Sequence, residues 1–173
     1  MNFKHGFVFL VCLIFSNFLQ ARKPKLVGKP APNFTAQAVF PDGMIQSFNL
    51  SDYIGKTDIV LYFYPFDSTP TCSKQAESFK NGFNRLQENG IMVVGVSCDA
   101  PASHKRFIKK LNLPFPLVSD TRIKRDISSK YGTVGLFHSK RRTFLINKKG
   151  IIIKVFNDVS VDTQIDDILK GFF

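Results

Sequence analysis

The chain has 173 residues, 44% of them hydrophobic, and 24 Lys and Arg against 13 Asp and Glu give a formal net charge of +11. That length suits one domain with a sizeable core, and the hydrophobic share excludes a disordered polymer. The positive charge lies in short scattered clusters such as Arg22–Lys25, Lys105–Lys110 and Lys140–Arg142, and no aromatic-interleaved nucleic-acid motif accompanies them, so a solvated basic surface is expected over a nucleic-acid interface.

The N-terminus reads first. Lys4 precedes an unbroken apolar run, Phe7–Phe15, and Ser16–Ala21 then turns polar and ends in a small residue before Arg22. This is the layout of a signal peptide over residues 1–21, cleaved after Ala21. The run is shorter than the roughly 18–20 residues that span a bilayer. Export is therefore expected, with membrane anchorage as the alternative if the leader is retained. Residues 22–32 form a basic, Pro-containing lead-in and residues 33–173 the folded domain. Cys12 leaves with the leader, so only Cys72 and Cys98 remain. Two thiols are too few for a disulfide framework and point to redox chemistry instead.

Phe34–Phe48 predicts a β-hairpin turning at Pro41-Asp42-Gly43, and Leu50–Tyr53 a helical turn. Asp58–Tyr64 is apolar after its first residue, as a strand buried on both faces requires. From Cys72 to Glu88 the spacing of Ala76, Phe79, Phe83 and Leu86 predicts one helix, stopped by Asn89-Gly90. Ile91–Ser97 is a second buried strand, Pro101–Leu111 a helix, Leu117-Val118 a short strand and Ile123–Tyr131 a further helix. Thr143–Ile146 and Ile151–Phe156 are strands joined by Asn147–Gly150. Val161, Ile165, Ile168, Leu169 and Phe172 form one stripe of a closing helix. This order predicts an α/β protein of thioredoxin-like arrangement, a central mixed sheet flanked by helices with an N-terminal hairpin. Cys72 and Cys98 then both follow C-terminal strand ends, where sites gather in open α/β sheets.

Cys72 is the residue with chemical promise. A thiol at a helix start faces unpaired backbone N–H groups and the positive end of the helix dipole, which favour the reactive thiolate. Thr69 brings a hydroxyl within reach of the sulfur. His104 and His138 lack metal-ligand spacing, which leaves them surface or structural roles. Asp67, Asp120 and Asp126 read as turn and cap residues.

The stretch Pro65-Phe-Asp-Ser-Thr69-Pro-Thr-Cys72 resembles the active-site pattern of the peroxiredoxins. Its continuation through Phe79, the segments Gly95–Ser97, Ser103–Phe107 and Phe115–Asp120, and Arg141-Arg-Thr-Phe-Leu-Ile146 are similar to the Q-type branch, also called bacterioferritin comigratory protein. The likeness runs from about Val27 to Phe173. It implies a peroxidase in which Cys72 attacks a peroxide and becomes a sulfenic acid. Arg141 then supplies fixed positive charge, Thr69 a hydroxyl at sulfur and peroxide, and Pro65 a donor-free shield. Gln75 steadies Arg141. The implied partners are a peroxide and a thioredoxin-like or small-thiol reductant, with no nucleic acid, cofactor or metal, in a monomer or weak dimer.

The usual resolving cysteines are replaced: Glu77 stands five residues after Cys72, and Ile108 occupies the alternative position in the next helix. An external thiol is the expected reductant, with Cys98 as the alternative resolving thiol. Ser68, Thr71 and Asn147 also depart from the branch's common residues. An exported thioredoxin-like thiol–disulfide oxidoreductase is the competing reading. Thr69 takes the attacking position that its Cys-x-x-Cys would need.

Overall fold

A computed structural model describes residues 26–121, 123, 125–157 and 159–173. The leader expected over residues 1–21, and Arg22–Lys25 of the lead-in, lie outside these. The described part of the lead-in is tied down: Gly28 N–H donates to the Ile152 carbonyl and Ala31 N–H to that of Gly150, each at 2.8 Å.

Among the described residues seven strands make one mixed sheet in the order β2-β1-β5-β4-β3-β6-β7. The hairpin pairs β1 (Thr35–Val39) with β2 (Ile45–Asn49). Asp42 Oδ1 accepts from Met44 N–H at 2.9 Å, and Gly43 supplies the positive φ of 81° that the turn demands. Strands β3 (Asp58–Phe63), β4 (Ile91–Ser97) and β5 (Leu117–Ser119) run parallel. β6 (Arg142–Ile146) and β7 (Ile152–Phe156) close the other edge antiparallel.

The helices are α1 (Pro70–Asn81), α2 (Phe83–Glu88), α3 (Pro101–Leu111), α4 (Asp126–Lys130) and α5 (Gln164–Phe172). They cover both faces, which explains the continuous apolar strands. Val60 and Tyr62 of β3 and Tyr64 just after it pack with Ala76, Phe79, Phe107 and Ile168, while Ile59, Leu61 and Phe63 pack with Phe34, Ile127 and Tyr131. Among the described residues no helix is long and apolar enough to cross a membrane.

Three expectations need correction. The single helix over Cys72–Glu88 starts earlier, at Pro70, and divides at Gly82. Glycine is a poor helix residue, and α5 exploits its missing side chain: a Cβ there would lie 2.5 Å from Ile165 Cγ1. The helix expected over Ile123–Tyr131 begins only at Asp126, because Arg125 sits at φ 47° in the left-handed region. Asp120 is a cap as expected, accepting from the N–H groups of Ile127 at 3.1 Å and Ser128 at 2.7 Å. Val161 precedes the closing helix, and its carbonyl accepts the Ser78 hydroxyl at 2.8 Å.

Candidate active site

The site forms where β3 hands over to α1. After Phe63 the chain leaves the sheet and passes half-buried Pro65, which has no N–H to direct at a neighbour. It reverses at Ser68, whose φ of 59° is left-handed. Thr69 is the N-cap residue, with extended backbone. Its hydroxyl donates to the Phe66 carbonyl at 3.3 Å and accepts no N–H of the helix. Pro70 fills the first helical position, where a missing N–H costs nothing. Cys72 is third in the helix, so its N–H belongs to the turn that has no intrahelical acceptors. The Cys72 residue is 2% exposed.

Arg141 arrives from the opposite direction. β6 runs antiparallel beside β3 with Arg142 opposite Phe63, so the residue before it stands just past the C-terminal end of β3. From there Arg141 Nη2 donates to Cys72 Sγ at 3.2 Å. Its Nη1 donates to Gln75 Oε1. Gln75 lies one turn beyond Cys72 and is fully buried. One planar guanidinium thus bridges the thiol and the amide that follows it on α1, a geometry its rigid fork of donors allows. An electron-rich sulfur in this position has a fixed positive charge against it.

Beneath the loop is a buried polar network. Asp67 accepts from the Tyr64 hydroxyl at 2.8 Å and meets His104 Nδ1 at 3.0 Å. The two paired side chains are 3% and 0% exposed. Asp67 N–H donates to Asp99 Oδ2 at 2.9 Å, and that oxygen also takes the Ser97 hydroxyl at 2.7 Å. The loop that carries Cys72 is therefore bolted to β4 and α3. Asp67 is more than a turn residue, and His104 is a core residue. The spacing of His104 with Phe107, Ile108 and Leu111 places it on the inward face of α3, a signal present in the sequence. Nearby, burial pushes the Tyr62 phenol well above its ordinary range; Asp67 and Cys72 add to the shift and Arg141 opposes it. Burial does the same to Tyr64, again with Asp67 adding.

Cys98 has different company. It follows β4, and its Sγ lies 3.4 Å from Ser139 Oγ, which is 2.8 Å from Ser128 Oγ. Both thiols are free. The structure brings Cys72, Arg141 and Gln75 together, holds Thr69 and Pro65 in the loop leading to them, and sets Cys98 against Ser139 in the segment before Arg141. Gln164 also joins the cluster: its Nε2 donates to the Gln75 carbonyl at 3.0 Å. No motif marks it, since it meets Gln75 only through the packing of α5 on α1. Among the described residues no cluster of His, Cys, Asp and Glu could hold a metal ion.

Residues 27–155 match the model of the AhpC/TSA family. The chain belongs to the AhpC/TSA family of peroxiredoxins. It is 36% identical over 151 residues to the putative peroxiredoxin bcp of Coxiella burnetii, covering 83% of this chain and 95% of that one. To the chloroplastic peroxiredoxin Q of Populus jackii it is 37% identical over 146 residues, 83% of this chain and 66% of that one. This peroxiredoxin thus spans about three fifths to two thirds of the Populus jackii and Triticum aestivum relatives. A cysteine-to-serine mutant of PrxQ from Xylella fastidiosa superposes with a TM-score of 0.75 at 26% identity, covering 84% of this chain and 94% of that one. Both the Q-type resemblance and the thioredoxin-like fold hold.

Proposed function

We propose that this peroxiredoxin is a thiol-dependent peroxidase for hydrogen peroxide and small organic hydroperoxides, with Cys72 as nucleophile. The observation that carries the reading is the 3.2 Å contact between Arg141 Nη2 and Cys72 Sγ. In the proposed step the Cys72 thiolate attacks one peroxide oxygen, an S–O bond forms and the O–O bond breaks. Sulfur is oxidised to sulfenic acid, and the departing hydroxide or alkoxide takes a proton to leave as water or alcohol. Negative charge spreads along the S–O–O line as this happens, and a donor already in place stabilises it without reorganising. Arg141 is that donor, and the Cys72 N–H, free of helical obligation, is a second. Thr69, once its hydroxyl turns from the Phe66 carbonyl, is a further contact to sulfur and peroxide, Pro65 shields the thiolate, and Gln75 holds Arg141.

Regeneration consumes two thiols of an external reductant, thioredoxin or a small thiol. The first forms a mixed disulfide with Cys72 and releases water; the second frees the Cys72 thiol and leaves the reductant oxidised. The separate partner of Cys98, Ser139, supports an external thiol over Cys98 as resolver. The dithiol-exchange alternative has Thr69 where its attacking cysteine would stand, so peroxide reduction is the reading favoured. A leader cleaved after Ala21 would make the enzyme an exported one, which N-terminal sequencing of the expressed protein reads directly. The activity is tested by stopped-flow peroxide consumption with excess thiol. Wild type is expected to turn over and Cys72→Ser to be silent; equal slow rates in the two would overturn the proposal.

A further inference from the structure

Gln164 opens α5, lies 89 residues from Gln75 in sequence and is 1% exposed. A primary amide buried this deeply needs partners, and Gln164 finds them on Gln75 alone among the hydrogen bonds of the described residues. Its Nε2 donates to the Gln75 backbone carbonyl at 3.0 Å, and its Oε1 accepts from Gln75 Nε2 at 3.5 Å. These contacts have a direction. A backbone carbonyl only accepts, so Gln164 must turn its NH2 toward it and its oxygen toward the Gln75 side chain. That oxygen also only accepts, so Gln75 must present Nε2 to it and Oε1 to the other side. Arg141 Nη1 donates to that Oε1, and Arg141 Nη2 reaches Cys72 Sγ. Two amides that could each flip are thereby oriented from a main-chain atom outward to the guanidinium.

We infer that Gln164 is a positioning residue for the thiol centre: it clamps the Gln75 amide so that the Arg141 fork stays on the Cys72 sulfur. The clamp stands on a rigid mount. Ile165 fills the space beside the bare Cα of Gly82, Ser78 holds the Val161 carbonyl, and Arg85 pairs with Asp166 at 2.8 Å. The start of α5 cannot shift against Ser78 of α1, Gly82 and Arg85 of α2 without undoing these contacts. The peroxide readout below rests on the proposed peroxidase reading; the alkylation readout does not.

The test is Gln164→Leu, which keeps the bulk and removes both hydrogen-bonding groups. Gln164→Met serves in its place if branching at that position blocks folding. Four quantities are compared with wild type: iodoacetamide alkylation followed at Cys72 by peptide mass, ultraviolet absorbance of the thiolate, oxidation by peroxide, and the melting curve. Alkylation and oxidation are expected to slow about tenfold, in the range for losing a group that orients a directly acting one, with a weaker thiolate band. In a Gln75→Ala background the same change is expected to matter less than twofold, because the link to Arg141 is already cut. Unchanged alkylation in Gln164→Leu, or an equal tenfold loss in the Gln75→Ala background, would overturn the inference. Wild type that alkylates at Cys72 yet consumes no peroxide would overturn the peroxidase proposal alone.

Discussion

At the scale of single residues, the question is what Arg141 does that another cation could not. Its two terminal nitrogens serve Cys72 and Gln75 at once. A lysine carries one compact ammonium and cannot hold both. Arg141→Lys is expected to cut the rate of Cys72 oxidation by about 10²–10³-fold, the range for losing one preorganised donor. Its melting temperature should move by only a few degrees, since Arg141 is half-buried just ahead of β6. A parallel loss of rate and stability would assign Arg141 to the fold instead. Asp67 is expected to behave in the opposite way. Asp67→Ala leaves the buried Tyr64 hydroxyl and His104 Nδ1 without their carboxylate. That should cost about 2–4 kcal/mol in urea unfolding; an unchanged midpoint would show that the network holds nothing in place.

Elements divide into those whose sequence carries their boundaries and those set by distant packing. The strands β3 and β4 belong to the first group, because burial on both faces writes an apolar run with no alternation to misread. The break between α1 and α2 belongs to the second. Ala76, Phe79, Phe83 and Leu86 keep helical spacing straight through Gly82, and only Ile165, far along the chain, gives that glycine its purpose. Gly82→Ala should therefore destabilise the protein by about 1–3 kcal/mol through overpacking, despite alanine's better helix propensity. In an Ile165→Ala background the same Gly82→Ala change should cost less, and strictly additive effects would show that the two do not touch. The candidate site follows the same division. Cys72, Gln75 and Arg141, which hydrogen bonds join, are legible because a helix start and a strand start carry them in local patterns; Thr69 and Pro65 stand in the loop before them, with the Thr69 hydroxyl on the Phe66 carbonyl. Helical spacing marks His104 as inward-facing, but its pairing with Asp67 and the seat of Gln164 on Gln75 depend on which element packs on which, and no local pattern records that.

For the whole molecule, the aromatic interior sets an alkaline limit. Burial raises the phenols of Tyr62, Tyr64 and Tyr131 above their ordinary value. In the unfolded chain each loses its proton near pH 10, whereas the fold retains it. The folded state then binds more protons, so the stability present below about pH 10 falls as pH rises past it. Each phenol contributes about 1.4 kcal/mol per pH unit to that fall. Tyr62→Phe should reduce the slope by one phenol's share. At neutral pH it should cost little or even stabilise, since the Tyr62 hydroxyl is buried without a hydrogen-bond partner among the described residues. A slope identical to wild type would contradict this. The central claim, that one sulfur held against a guanidinium splits the oxidant, is met most directly by rapid-quench peptide mass spectrometry after one equivalent of hydrogen peroxide. The expected result is an oxygen atom gained on Cys72 while Cys98 is still reduced. Oxidation of Cys98 first, or of Cys72 no faster than a free cysteine, would contradict it.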